Sequence, residues 1–154
     1  MRLAGATDAP AIALLLAAAF AEYRLLYTPA GFSATAITPD EVVTRIEQGP
    51  VWIAIRDGEI LGTVSVIRKD DSLYIRGMAI TPMARGQRIG ALLLTRIEKF
   101  AAAGTFRRLL LSTTPFLDRA IRLYEQFGFR RIDEGPNELF GTPLFAMEKV
   151  IDLN

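Results

Sequence analysis

Between residues 79 and 94 the sequence reads AITPMARGQRIGALLL, which gathers the residues best suited to hold an anion. Gly86 and Gly90 let the main chain approach a ligand with no Cβ in the way, and Arg85 and Arg88 bring positive charge to the same place. The apolar residues beyond them start a helix whose first amides have no intrahelical acceptor, so phosphate is the natural ligand. Taken alone, the two glycines could also simply close a turn beside solvated arginines. A second candidate is Tyr124, in AIRLYEQFGF at 120–129. There Ala120, Tyr124 and Phe127 share one helical stripe, and Gly128 follows as a left-handed terminator. By itself such a tyrosine reads more readily as a core aromatic than as a proton donor.

The chain has no histidine and no cysteine. That excludes Ser-His and Cys-His nucleophiles, thiolate metal sites, disulfides and most zinc chemistry. Catalysis would have to run on carboxylates, tyrosine, hydroxyls, lysine, arginine and backbone amides. A net charge of +1 over 154 residues gives no field favouring nucleic acid or a membrane surface, and the arginines are scattered. Hydrophobic residues at 51% and charged residues at 23% suit one domain, 1–154, with its own core. The apolar run AIALLLAAAFA at 11–21 resembles a short signal segment. It is shorter than the roughly 17–25 residues that span a bilayer. Thr7, Asp8 and Pro10 open it as a helix, with Ile12, Leu15, Leu16 and Phe20 recurring at helical spacing. The expectation is a first helix buried in the core of a cytoplasmic protein.

Glycine, proline and Asp-Gly punctuation divides the rest of the chain. Residues 2–5 read as a short strand and 23–38 as an irregular loop with a broken helix. Thr38-Pro39-Asp40-Glu41 opens a second helix whose apolar face is Val42, Val43 and Ile46, ending near 49–50. Strand 51–56 returns as strand 59–68 through the Asp57-Gly58 hairpin, and a turn at 69–72 leads to strand 73–81, stopped by Pro82. A long helix over 89–103, with Leu92, Leu93, Ile97 and Phe100 buried, closes at Gly104. Strand 107–112, helix 118–127 and strands 129–133 and 144–151 complete the order. An antiparallel meander followed by strand–helix–strand–helix–strand predicts an α/β (α+β) fold with a mixed, mostly antiparallel twisted sheet flanked by helices.

With the loop placed between a strand and a helix, the run Arg85 to Gly90 resembles the acetyl-CoA loop of the GNAT superfamily of N-acetyltransferases, Arg/Gln-x-x-Gly-x-Gly/Ala. Arg85 fills the first place and Gly90 the last, while Arg88 stands where that pattern has its middle glycine. The run 120–129 resembles the superfamily's second signature, Ala-x-x-x-Tyr-x-x-x-Gly-Phe, and FAMEK at 145–149 resembles its closing strand. The resemblance covers 51–151 and is only topological over the first 50 residues.

The resemblance implies a GNAT-like acyl-CoA N-acyltransferase fold, with a coenzyme half of about 73–133 and an acceptor pocket drawn partly from 1–50 and 134–145. It implies acetyl-CoA as cosubstrate and no metal. The main chain of Met78, Ala79 and Ile80 would hold the pantetheine arm, and Arg85, Gly86, Gln87, Arg88, Ile89, Gly90 and Ala91 would surround the diphosphate. Tyr124 would protonate the departing thiolate. The implied reaction is direct attack by the primary amine of a small molecule or peptide, on a monomer or a homodimer. No general base is assigned. Arg76 and Ser112 stand where some relatives carry a glutamate, Leu117 where some carry an asparagine, and Glu22, Asp40, Glu41 and Asp118 are carboxylates without a distinguishing context. Phe20, Tyr23, Tyr27, Phe32, Phe140 and Phe145 divide between core and acceptor pocket. Two other readings stay open: a non-catalytic acyl-CoA-binding regulator of the same fold, and a nucleotide-phosphate binder, although the lysine-Ser/Thr ending of a P-loop is missing.

Overall fold

The computed structural model describes residues 1–151; of the domain expected over 1–154, residues 152–154 lie outside the described residues. Edge strand β1 (Arg2–Leu3) pairs with β2 (Val51–Arg56), which turns back through Asp57-Gly58 as β3 (Glu59–Lys69). Both turn residues are left-handed, at φ 53° and 79°, as a two-residue hairpin requires. A second turn leads to β4 (Ser72–Ile80), and β5 (Arg108–Thr113) and β6 (Arg130–Ile132) follow. A small separate hairpin of β7 (Glu138–Leu139) and β8 (Thr142–Pro143) precedes β9 (Phe145–Val150). The main sheet has the order β1-β2-β3-β4-β5-β9-β6, and only the β4–β5 neighbours are parallel.

Helices α1 (Ala9–Phe20) and α3 (Pro39–Gln48) cover one face of the sheet, where Ile12, Leu16 and Val42 meet Ile53 and Ala79. Helix α2 (Pro29–Thr35) lies between them in sequence. On the other face, α4 (Ile89–Ala103) sets Leu93, Leu94 and Ile97 against Trp52, Val64, Leu73 and Leu109, and α5 (Asp118–Gln126) joins its edge. Strand alternation splits β2 between the two cores, Val51 and Ile53 to one and Trp52 and Ala54 to the other. The expected start of α3 is a capping box: Glu41 N–H donates to Thr38 Oγ1 at 3.3 Å and Thr38 N–H to Glu41 Oε1 at 3.1 Å.

Three expectations change. The stretch 23–38 is mostly helical, with a 3-10 segment at Ala21–Leu26 and then α2, because Thr28 caps Gly31 N–H at 3.0 Å and Pro29 has the φ a first helical turn needs. Leu92 and Phe100 are 54% and 37% exposed rather than buried. The buried stripe of α4 runs Ile89, Leu93, Ile97, Ala101; Leu92 lies about 100° around the helix from Leu93, and Phe100 sits at the core's rim, edge-on to Trp52 at 5.3 Å. Finally, Ala6–Leu26 is a helical stretch of 21 residues with mean hydropathy 1.6, long and apolar enough by composition to cross a bilayer, unlike 11–21 alone. In the fold its Ile12, Leu15, Leu16 and Ala19 are core residues.

Candidate active site

Strands β4 and β5 run side by side only from the Ser72–Arg108 pair to the Ile75–Leu111 pair. Beyond Ile75, β4 stays with β3 while β5 continues against β9, so a gap opens in the sheet. The bend comes from a β-bulge opposite Thr63–Ser65 that contains Gly77 at φ 63°. Thr81 N–H donates to Leu61 O at 2.9 Å; by ladder alternation, Ala79 also directs its main-chain groups to β3. Met78 and Ile80 therefore direct theirs into the gap. The expected trio divides: Ala79 is tied into the sheet, and its methyl packs in the core beneath α1.

Past the gap, the loop prepares its amides selectively. Arg85 N–H and Gln87 N–H close turns onto the carbonyls of Pro82 at 3.4 Å and Ala84 at 3.3 Å. The amides of Gly86, Arg88, Ile89, Gly90 and Ala91 meet no acceptor among the described residues, and the first helical donor is Leu92, to Arg88 O at 3.2 Å. Arg88 stands at φ 62°, so the place where the superfamily has glycine keeps a glycine-like conformation in a residue that bears a β-carbon. The two glycines do different things. Gly86, at φ 82°, has open space for 4 Å around the position a β-carbon would take, so conformation is its reason. At Gly90 a β-carbon would collide with Leu123 of α5. Gly90 thus lies against the end of the Leu123 side chain, and α5 brings the neighbouring Tyr124 beside the loop.

Gap, loop and α5 enclose a cavity of about 570 Å³. Every residue expected to hold the coenzyme or to protonate the thiolate lines it except Gln87, whose side-chain amide reaches back to Met83 O at 3.5 Å; of the aromatics divided between core and acceptor pocket, only Phe20 and Tyr23 line it. Arg119 and Arg122 of α5 join Arg85 and Arg88 on the wall, which carries no acidic residue among the described residues. The i, i+3 spacing of Arg119 and Arg122 is plain in the sequence; the direction in which that face of α5 turns is not. Across the mouth, Glu22 is hydrogen-bonded to Arg85 and stands 3.6 Å from Arg119. Tyr124 is 7% exposed and packs on Phe129, with ring centroids 5.8 Å apart. Burial first, and the nearby Tyr27 phenol second, push its pKa well above the ordinary tyrosine range, so it keeps its proton. None of the four carboxylates left open as bases lines the cavity: Glu22 is held by arginines, Glu41 belongs to the α3 cap, and Asp40 and Asp118 lie in the first turns of α3 and α5.

A strand edge that leaves its sheet, free amides at the start of the next helix and a buried tyrosine from the helix after it are the parts of an acyl-CoA N-acyltransferase fold. Residues 17–129 match the model of the acetyltransferase (GNAT) family, and the chain belongs to that family. It is similar to an uncharacterized N-acetyltransferase, YjgM, of Escherichia coli, 30% identical over 139 residues that span 86% of this chain and 83% of that protein. An N-acetylaspartate synthetase of Danio rerio is 32% identical over 85 residues, 54% of this chain and 30% of that protein. The chain thus spans less than a third of the synthetase's length. Among solved structures, the paia N-acetyltransferase from Thermoplasma acidophilum in complex with coenzyme A superposes with a TM-score of 0.81 over 97% of this chain and 96% of that one, at 16% identity, a likeness of fold.

Proposed function

We propose that the chain transfers the acetyl group of acetyl-CoA to the primary amine of a small molecule or peptide. One observation carries this reading: the free main-chain edge at Met78 and Ile80, the amides of Gly86 and of Arg88 to Ala91, unpaired among the described residues, and the protonated Tyr124 all open on one cavity. The pantetheine arm adds to the edge of β4 as a strand would. The coenzyme's diphosphate takes the helix-start amides, with Arg85, Arg88, Arg119 and Arg122 offsetting its charge. The amine attacks the thioester carbonyl carbon. An N–H of Met78 or Ile80 stabilises the resulting oxyanion, an effect of roughly 3–4 kcal/mol per well-placed donor. The C–S bond then breaks, the thiolate takes the Tyr124 proton, the new amide nitrogen gives up its extra proton to solvent, and Tyr124 regains one from solvent before the next turnover.

We read the protein as cytoplasmic, acting alone or as a homodimer, with neither nucleic acid nor membrane as partner and no metal in the reaction. Direct attack on a thioester needs only the groups named above, which supports the last point. The test is calorimetry with coenzyme A, followed by released-thiol assays on acetyl-CoA with a panel of amines, amino acids and peptides. Coenzyme binding in the micromolar range and thiol release with at least one amine are expected; no heat at millimolar coenzyme would overturn the reading.

A further inference from the structure

The coenzyme cradle starts α4 on one face of the sheet, the same cavity is lined from the other face by Ala19, Phe20 and Tyr23, and that second face is left for an acceptor amine. Where β4 and β5 part, that face is bounded by Arg76, which follows the last paired residue Ile75, and by Ser112, whose neighbour Leu111 is buried in the core beneath α4. Arg45 reaches the same place from α3. Its Nη1 ends against Gly77 of β4, where a β-carbon would meet it, so the bulge glycine leaves room for this guanidinium.

Neither arginine has a carboxylate of the described residues within 4 Å. Arg76 is held through one Nη by Gln48 Oε1, and its buried Nε meets no acceptor. Glu41, one turn before Arg45 on α3, already accepts Thr38 N–H at 3.1 Å and Thr38 Oγ1 at 3.0 Å. Desolvation, with Arg76 adding like-charge repulsion that the charge of Glu41 only partly offsets, pushes Arg45 down to about 10, and burial lowers Arg76 as well. Several other arginines are matched by acids, Arg108 by Glu134 and Glu148, Arg85 by Glu22, Arg2 by Asp8, while Arg88 and Arg122, which face the coenzyme cavity, share with Arg45 and Arg76 the lack of an acid partner among the described residues. Two adjacent, half-buried guanidiniums without an anion are unfavourable until an anion joins them. The planar fork of a guanidinium fits a carboxylate through two parallel hydrogen bonds.

We propose that Arg45 and Arg76 bind a carboxylate of the acceptor, so that the amine acetylated here belongs to an amino acid or another small amine bearing a free carboxylate. This rests on the acetyl transfer proposed above and narrows its acceptor: an internal peptide segment or a peptide N-terminus presents an amide where the two arginines call for an anion. The carboxylate stays chemically unchanged; amine and acetyl-CoA become the N-acetyl amine and free coenzyme A.

The full chain is to be assayed by thiol release with the common α-amino acids, the carboxamide of each, β-alanine and phosphoethanolamine, with calorimetry of the same amines on the coenzyme-saturated protein. Acids should exceed their carboxamides by about 10–100-fold in kcat/KM, through KM. Arg45→Gln and Arg76→Gln should collapse that ratio toward one, and Arg76→Lys should fall between. Carboxamides used or bound as well as acids, or neither bound by a protein that does bind coenzyme, would overturn the proposal while leaving the coenzyme site standing. Preference for phosphoethanolamine would overturn the carboxylate in favour of phosphate. Loss of coenzyme binding itself would sink the parent reading instead.

Discussion

Replacing Arg88 separates two things that one residue does. Its backbone sits at φ 62° and ψ 23°, a region that a residue with a β-carbon occupies at a cost of about 1–2 kcal/mol. Its guanidinium lines the coenzyme cavity. Arg88→Ala removes the charge and keeps the strain; Arg88→Gly removes both. Glycine's freer unfolded chain takes back about 0.4–1 kcal/mol of the relief. The glycine variant should therefore be about 0.5–1 kcal/mol more stable than the alanine variant. At about 2–4 °C per kcal/mol for a domain of this size, thermal melting should place it about 1–4 °C higher. A hydrogen bond from a guanidinium to a phosphate contributes about 1.5–3 kcal/mol, so both variants should bind coenzyme A about 10–100-fold more weakly by calorimetry at low salt. That deficit should shrink as salt screens the phosphate charge. An alanine variant that melts at or above the glycine variant would show that the backbone at 88 stores no strain. Unchanged coenzyme affinity in both would remove Arg88 from the phosphate site.

Tyr124→Phe should lower kcat by about 100-fold or more with the coenzyme Kd nearly unchanged, because a proton donor to the leaving thiolate acts only in the reaction; undiminished turnover would leave the tyrosine as packing. The same variant bears on alkaline stability. The folded phenol's pKa is raised by burial, so its contribution is whole below the unfolded value of about 10 and is lost as pH climbs through the folded one. Urea titrations above pH 10 should show a shallower decline for the phenylalanine variant than for the parent. Glu22→Gln frees Arg85 and Arg119, and should tighten coenzyme binding about 2–5-fold, the range of an exposed ion pair; weaker binding would mean that Glu22 orders the loop instead of competing for it. Thr142→Val strips Thr28 N–H of its 2.9 Å acceptor in a buried joint between α2 and the β7–β8 hairpin, and should cost about 1–3 kcal/mol by urea denaturation.

Residue order alone dictates whatever a few consecutive residues can settle. Asp57-Gly58 demands a left-handed turn, Thr38 and Glu41 cap each other, Gly128 stops α5 at φ 101°, and a glycine- and arginine-bearing loop before an apolar helix supplies free amides. Each is a preference acting over one to four residues, so reading it needs no knowledge of neighbours. For the same reason the helical stripe of α4 is nearly legible, with Leu92 and Phe100 misplaced by no more than a rotation about the axis. The pieces of α2 are not legible because Gly31 and Ser33 are weak helix formers there, and α2 leans on Thr142, more than a hundred residues away.

The remainder comes from long-range packing. That β4 leaves β5 after Ile75, and that Met78 and Ile80 rather than Ala79 face the gap, follows from strand pairing and register, which no local pattern records. Glu22 spans the mouth to Arg85, Leu123 lies against Gly90, and Arg45 ends at Gly77 because distant segments fold against one another. Residue type sets which groups are capable of chemistry here; the packing of two cores on a splayed sheet sets which of them meet.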